Sequence, residues 1–255
     1  MNDPHVKTLH YRVVPGNNVD YEKAAPITVE TDDFSVTMNS KDAIFEMKNH
    51  FTTKNDAKKI VDSYLMRWDL LIGLELAPGD LTFIFQHANI IDRAPVSDGG
   101  IDLNVHSAVS ASVAMDVVLH VSRGTFPTPP LHFALTPDVE TMYIRYKACR
   151  EGRESLLSMA YMCLTVLKTS ANGKAAEKYT ISETVLKKLG NLCTERGSPA
   201  EARKKLRGSD FIPLSAQEKE WVIQVVKAII RRTGEHAFEP TRTLPQLTMS
   251  DFPTI

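Results

Sequence analysis

The proline-rich stretch RGTFPTPPLHFALTP, residues 123–137, separates two kinds of sequence pattern in this chain. Its four prolines and one glycine are unsuited to a central strand, because proline lacks the N–H group that a sheet requires. Before this stretch apolar residues alternate with polar ones, and after it they recur every three or four residues. The change predicts an α+β protein: an antiparallel β-rich domain with one packed helix, residues 1–135, then an α-helical bundle, residues 136–236, and an extended tail, residues 237–255.

The most regular alternation lies at residues 101–121, where every odd position but one is apolar and most even positions are polar. A single strand of this length exceeds the usual 3 to 10 residues, so we expect a bend near residues 107–111. Oxygen and imidazole groups on the polar face could converge on a divalent metal, but exposed faces of antiparallel strands are ordinarily polar, so we predict no metal site. The polar residues considered are Asp102, Asn104, His106, Asp116 and His120.

Shorter patterns complete the first domain. Residues 9–13 predict a strand, and residues 34–47 have the run, turn, run pattern of a β-hairpin. A helix is expected after Thr53, a candidate N-cap, because apolar residues recur at helical spacing from Ala57 onward. A further strand is predicted at residues 81–85, which are rich in aromatic and branched side chains.

Helix-start signals recur in the second domain. Serine or threonine residues stand before stripes of apolar residues, and two of them form capping boxes with a glutamate three residues later. Gly234 is predicted to end the last helix as a left-handed cap. The predicted N-caps are Thr136, Ser182, Ser198 and Ser215.

Composition excludes several classes of protein. With 255 residues, 43% hydrophobic and 24% charged, the chain is neither disordered nor fibrous. The three cysteines, Cys149, Cys163 and Cys193, are odd in number and widely spaced, which disfavours a disulfide framework or a zinc site. No run approaches the roughly 20 apolar residues of a membrane span, and no signal peptide is evident. We therefore expect a cytoplasmic protein that does not contact a membrane.

Charge is distributed unevenly along the chain. Up to Glu140 there are 11 basic and 19 acidic residues, a net −8, and beyond it 19 basic and 12 acidic, a net +7; together they give the net charge of −1. Either the acidic part docks on the basic part, or the basic part faces the phosphates of a nucleic acid. The candidate nucleic-acid contacts are Lys187, Lys188, Arg203, Lys204, Lys205, Arg207 and Arg232.

Most local catalytic signatures are missing from the sequence. It contains no GxGxxG, Walker phosphate loop, HExxH, CxxC, GxSxG or SxxK pattern, and we predict no cofactor. Five histidines are isolated in the sequence and are expected to be surface or hydrogen-bonded residues. They are His5, His10, His50, His87 and His132.

The spacing between one arginine and one histidine is typical of a catalytic site. Arg231 is followed by four residues and then by His236 near the end of the last predicted helix. This arrangement resembles the signature of HEPN-type helical-bundle nucleases, and residues 137–236 resemble that family in outline. In that family the arginine and histidine of two subunits meet in a dimer cleft and cut RNA without a metal ion. The resemblance implies that His236 acts as general acid or base toward the ribose 2′-hydroxyl and that Arg231 stabilises the phosphate charge.

Three hypotheses follow. In the first, the chain acts by binding a protein partner, as a homodimer or within a larger assembly, and performs no chemistry of its own. In the second, it is a metal-independent endoribonuclease that uses Arg231 and His236. In the third, a ligand-binding β domain is coupled to a helical dimerisation domain, which the sequence does not separate from the first.

Overall fold

The computed structural model describes residues 2–93, 121–197 and 212–255. The alternating segment at residues 101–120, with its candidate metal ligands, and the helix start at Ser198 lie outside the described ranges. Four of the candidate basic residues also lie outside them: Arg203, Lys204, Lys205 and Arg207.

Contacts between Cα atoms divide the chain into two compact units, Met1–Pro129 and Pro130–Ile255, which we call unit 1 and unit 2. An antiparallel sheet dominates unit 1 and helices dominate unit 2, which confirms the predicted α+β class. The division falls after Pro129, whereas the sequence placed it after residue 135.

A five-stranded sheet forms the centre of unit 1, in the order β3-β4-β5-β1-β6, with each neighbouring pair antiparallel. A separate parallel pair joins β2 and β7. The strands are β1 (Pro4–Pro15), β2 (Val19–Asp20), β3 (Ile27–Glu30), β4 (Phe34–Met38), β5 (Asp42–Met47), β6 (Leu81–Asp92) and β7 (Val121–Ser122).

One helix, α1 (Lys54–Glu75), follows the hairpin, as predicted. The Thr53 side chain accepts a hydrogen bond from the Asp56 backbone N–H, which confirms the expected N-cap. Tyr64 and Trp68 of α1 are buried, and Tyr64 packs edge-to-face on Phe45 of the sheet. The core of unit 1 therefore lies between α1 and one face of the sheet.

Two strands are longer than the sequence predicted. The strand expected at residues 9–13 spans Pro4–Pro15, and the strand expected at residues 81–85 spans Leu81–Asp92. The register between them shifts at two irregularities, one of them between His10 and Tyr11. A bulge inserts an extra residue and interrupts the strict alternation of apolar and polar residues. A strand predicted from that alternation therefore comes out shorter than the strand in the structure.

Unit 2 is a helical bundle in which α3 packs against α2, α5 and α6. Side-chain caps at Thr136, Ser182 and Ser215 confirm three predicted helix starts, and Ser215 with Glu218 forms a complete capping box. The helices are α2 (Pro137–Arg150), α3 (Leu156–Ser170), α4 (Ala175–Lys178), α5 (Glu183–Glu195) and α6 (Ala216–Phe238).

The predicted end of the last helix is wrong. Helix α6 continues through Gly234 to Phe238. A Cβ atom at Gly234 would lie 2.1 Å from Cε2 of Phe133, and the Gly234 carbonyl accepts a hydrogen bond from the Ala134 N–H at 3.0 Å. The glycine is thus required for close packing of a side chain on the helix, not for a left-handed cap.

The C-terminal tail packs on unit 2. Leu247 forms a parallel bridge with Ile181, and Phe252 lies edge-to-face on Trp221 with ring centroids 6.1 Å apart. A short 3₁₀ turn, Met249–Asp251, interrupts the otherwise extended segment.

Candidate functional site

The two residues of the candidate nuclease signature lie on one continuous helix. Because α6 extends to Phe238, Arg231 and His236 are both helical. Five residues correspond to about 140° of rotation around a helix, so the two side chains leave α6 in different directions. Within one subunit the spacing alone does not bring the guanidinium and the imidazole together.

Arg232 is a structural residue. Only 5% of it is exposed, and its Nη1 donates hydrogen bonds to the carbonyl oxygens of Pro245 at 2.8 Å and Tyr179 at 3.4 Å. Burial lowers its pKa, while the nearby Glu235 carboxylate opposes this effect. Our prediction that Arg232 contacts nucleic acid is therefore wrong, because its charge is directed into unit 2.

Glu235 neutralises part of the charge at this end of α6. Its Oε1 lies 3.6 Å from Nε of Arg231, and its Oε2 lies 3.5 Å from Nε of Arg232. The carboxylate therefore lies within ion-pair distance of both arginines. An incoming phosphate would consequently compete with an acidic group already in place.

His236 is half-buried against Tyr179. The two rings meet edge-to-face with centroids 5.3 Å apart, and Nζ of Lys178 lies 5.0 Å from the centroid of the Tyr179 ring. Burial lowers the pKa of His236, and the positive charge of Lys178 lowers it further. The imidazole is therefore neutral at pH 7, the form in which it can accept a proton.

The remaining candidate basic residues within the described ranges lie on another helix. Lys187 and Lys188 belong to α5, and Nζ of Lys187 lies 3.1 Å from Oε2 of Glu183 one turn away. Exposed pairs of this kind are worth little energetically, so Lys187 remains available to other anions. Lys188 is half-buried on the same helix.

Four histidines that the sequence treated as isolated form two stacked pairs in unit 1. The rings of His10 and His87 lie 4.3 Å apart between opposite positions of β1 and β6, and those of His5 and His50 lie 5.1 Å apart. Sequence reasoning missed both pairs because each joins residues that are far apart in the chain, and for His10 and His87 the pairing depends on strand register. Burial and the facing His87 ring lower the pKa of His10.

A groove in unit 1 was not predicted at all. It lies between α1 and β6 and has a volume of about 440 Å³, within the range of ordinary ligand pockets. Strand β6 contributes Phe83 and Phe85, and α1 contributes Leu65 and Met66. These four side chains give the groove apolar walls, and its other lining residues are Tyr11, Lys58, Asp62, Asp69 and Thr82.

A polar network occupies one end of this groove. The Tyr11 hydroxyl donates to Oδ1 of Asp62 at 2.9 Å, and Nζ of Lys58 donates to Oδ2 of the same carboxylate at 2.5 Å. Lys58 and Lys54 both hold their ammonium groups over the Phe85 ring, 5.6 Å and 5.8 Å from its centroid. Burial and Asp62 raise the pKa of Tyr11, so its hydroxyl stays protonated and donates.

The strand that borders the groove lies at the edge of the sheet. Within the described residues, β6 pairs with β1 on one side and no strand lies beyond it. It also carries three exposed isoleucines: Ile84 (44%), Ile90 (48%) and Ile91 (38%). The Gln86 side chain donates to the carbonyl oxygen of Ile84 at 3.2 Å. An edge of this kind can accept another extended segment.

Comparison of the chain with models of protein families, with curated proteins and with solved structures finds no match. Among the residues that the structure describes, no three histidine, cysteine, aspartate or glutamate side chains are placed to hold a metal ion. None of the described helices combines the length and hydropathy that a bilayer crossing requires. Function is therefore inferred from the chemistry of the residues themselves.

Proposed function

We propose that this chain is an interaction protein that binds an extended segment of a protein partner along the edge of β6, beside which no strand lies in the part of the chain that the structure describes. The observation that carries the proposal is a strand of twelve residues, last in the described sheet, that borders a groove with apolar walls. Backbone N–H and C=O groups at a sheet edge bind an added strand, and pockets beside the edge select alternate side chains of that strand.

The side chains on β6 support this proposal. Three isoleucines exposed on a single strand are costly to leave in water, and an added strand would cover part of them. The groove would receive the partner's side chains that point toward α1. A cytoplasmic location belongs to the same proposal, and it is supported by three cysteines that carry free thiols.

A generic strand tests this proposal, because hydrogen bonds between backbones do not depend on sequence. The probe is a fluorescein-labelled peptide of ten residues in which valine and threonine alternate. Titration of the full-length protein should raise its fluorescence anisotropy to saturation. The Ile84→Lys variant, which places a charge on the edge strand, should weaken binding at least about tenfold.

The matched control is Ile144→Lys, which makes the same change at an exposed isoleucine of α2 in unit 2. It should bind the peptide as the wild type does. The proposal fails if the wild type shows no saturable binding, or if both variants lose binding equally. Sedimentation velocity of the unliganded protein tests whether a second copy of the chain takes the place of the partner.

A second candidate, a metal-independent ribonuclease of HEPN type, is favoured by one observation. His236 lies on an unbroken α6 with a lowered pKa, which suits a general base that is neutral at pH 7. In this candidate Arg231 stabilises the phosphate of a bound RNA, and Lys187 and Lys188 contact the RNA backbone. A homodimer would supply the second arginine and histidine.

Incubation with a mixed RNA pool in EDTA tests the ribonuclease. Cleavage that is lost in both His236→Ala and Arg231→Ala, but retained in His132→Ala, would support it. His132 is an exposed histidine of the same unit, outside the signature. Intact RNA after incubation with folded, dimeric wild-type protein would exclude this activity. RNA binding that weakens steeply as salt rises would indicate phosphate contacts.

A further inference from the structure

We infer that His10 of β1 and His87 of β6 bind one divalent transition-metal ion, such as Zn²⁺, through a nitrogen atom of each ring. The two residues lie directly opposite each other in the register of the two strands. Histidine is the commonest metal ligand in proteins, and imidazole suits zinc, copper and nickel. This inference goes beyond the proposed function, because it concerns the face of the sheet and is independent of peptide binding at its edge.

Both rings lie on the face of the sheet that is turned away from α1. His10 stands between Leu9 and Tyr11, whose side chains enter the core beneath that helix, so its own side chain lies on the opposite face. His87 shares this face, since its ring stacks on that of His10. Two strands that are paired along their length thus hold the two imidazoles side by side.

The spacing of the rings suits a shared ion. Their centroids are 4.3 Å apart and their planes lie within 13° of parallel. Two nitrogen atoms bound to one tetrahedral zinc ion, each about 2.1 Å from it, lie about 3.4 Å from each other. The χ2 torsion of histidine has broad minima, so small rotations can bring one nitrogen of each ring to this distance. His87 is exposed and His10 is half-buried, which leaves room for such rotations.

A neighbouring hydroxyl can orient the ring of His10. The Oγ1 atom of Thr8 lies 3.0 Å from Nε2 of His10. In the tautomer whose Nε2–H donates to Thr8, Nδ1 carries the lone pair that a metal ion requires. Histidines that bind metals almost always donate their second ring nitrogen to an acceptor in this way, which fixes the orientation of the ring.

Charged groups of both signs lie near the pair. Burial and the facing His87 ring lower the pKa of His10, so its ring is neutral at pH 7, as a metal ligand must be. The Asp42 carboxylate opposes this effect, and its negative charge attracts a cation. Arg12 lies opposite Asp42 in the register and offsets part of that attraction. Binding therefore depends on the two imidazoles more than on the surrounding charge.

The site has two protein ligands. Within the described ranges, no third histidine, cysteine or carboxylate is placed to join them, so water would fill the other coordination positions. Half of the binding free energy of a structural zinc site with four ligands corresponds to a Kd on the order of 10 µM. We expect an affinity of this order for Zn²⁺.

The second stacked pair of unit 1 provides a matched control. The ring centroids of His5 and His50 are farther apart, at 5.1 Å, and only 2% of His5 is exposed. In addition, Nε2 of His50 lies 2.9 Å from Oδ1 of Asp3. We expect this pair to bind zinc much more weakly than His10 and His87, so His50→Gln should not change binding at the inferred site.

A zinc titration of the full-length protein at pH 7, followed by ¹H–¹⁵N spectra of the histidine rings, tests the inference. The signals of His10 and His87 should shift together and saturate with a Kd on the order of 10 µM. In His87→Gln, half-saturation of the His10 signals should require at least about tenfold more zinc, because the second ligand no longer raises the effective concentration. In His50→Gln it should stay within about twofold of the wild-type value.

Two results would overturn the inference. In one, the rings of His10 and His87 do not shift, or do not approach saturation below about 1 mM zinc. In the other, His87→Gln and His50→Gln weaken binding equally, which would assign the effect to histidines in general. The ring signals are assigned through their bonds to the backbone, so the wild-type titration decides even if a variant unfolds.

Discussion

The end of α6 and the edge of β6 are both candidate sites, but they use their functional groups differently. At the end of α6, Arg232 and Glu235 are engaged with groups of unit 2 itself. At the edge of β6, apolar side chains are exposed and no further strand is present among the described residues. The most specific catalytic pattern in the sequence lies at the end of α6. The structure, in contrast, exposes more surface for binding at the edge of β6.

This difference shows how burial changes the meaning of a residue. In the sequence Arg232 is one of several basic residues that suggest contacts with phosphate, but at 5% exposure it acts by donating hydrogen bonds to carbonyl oxygens. The isoleucines of β6 look like core residues in a sequence, but the end of the sheet exposes them. If this contrast is correct, substitutions at the end of α6 should mainly cost stability, and substitutions on β6 should mainly cost binding.

The largest effect is expected for Arg232→Ala. Its loss leaves the Pro245 carbonyl without this donor and removes one cation from Glu235, so the free energy of unfolding of unit 2 should fall by about 3 kcal/mol. Arg231→Ala should cost less than about 1 kcal/mol, since its side chain is 42% exposed. Equal losses in the two variants would contradict a structural role specific to Arg232.

Urea denaturation can report each unit separately. The chain has two tryptophans, Trp68 in unit 1 and Trp221 in unit 2, and both are buried. Labelling with 5-fluorotryptophan therefore gives one ¹⁹F signal from each unit.

Gly234→Ala is the next largest expected effect. The new methyl group would lie 2.1 to 2.6 Å from three atoms of the Phe133 ring, so unit 2 should lose about 2 kcal/mol. The control is Gly190→Ala in α5, where the nearest atom, of Leu164, is 3.6 Å away. A helical glycine with free space should gain up to about 1 kcal/mol when changed to alanine. Thermal denaturation of both variants measures the two shifts, and shifts of the same sign would contradict this account of Gly234.

The pH dependence of unit 2 should reflect His236. A lowered pKa in the folded state means that the unfolded state binds more protons, so stability is fully present above about pH 6.5 and is lost as the pH falls through the folded value. His236→Gln should make the free energy of unfolding of unit 2 less dependent on pH between 7 and 5. The ¹⁹F signal of Trp221 in urea titrations at several pH values provides the measurement. If the free energy of unfolding changes with pH equally in His236→Gln and in the wild type, the burial of His236 does not contribute to the pH dependence.

Ile84→Lys should have the smallest effect on stability. Since the side chain is exposed, the free energy of unfolding of unit 1 should change by less than about 0.5 kcal/mol. The same variant is expected to lose peptide binding. A loss of stability as large as that of Arg232→Ala would instead identify Ile84 as a packing residue and would remove the contrast between the two regions.

Local features of the fold could be predicted from the sequence. The caps at Thr53, Thr136 and Ser215 depend on side-chain groups within three residues, and each was found where the sequence placed it. The same is true of the hairpin at residues 34–47, since its turn residues stand between two short apolar runs. The α+β class followed from the change of period at the prolines.

Features that depend on distant residues could not be predicted. The groove needs α1 and β6 to lie side by side, and Gly234 acquires its role from Phe133, about a hundred residues earlier in the chain. The stacked rings of His10 and His87 require a register that contains a bulge. Each of these is set by tertiary packing, which local propensity does not specify.

Hydrogen exchange of the β6 backbone amides, with and without the valine–threonine peptide, tests docking at the edge most directly. In the free protein, the amides of Leu81–Asp92 that face away from β1 should exchange quickly, while those bonded to β1 are protected. Saturation with the peptide should protect the outward amides and leave those of α6 unchanged. Outward amides that are already protected in the free protein, or that stay unprotected at saturation, would contradict the account.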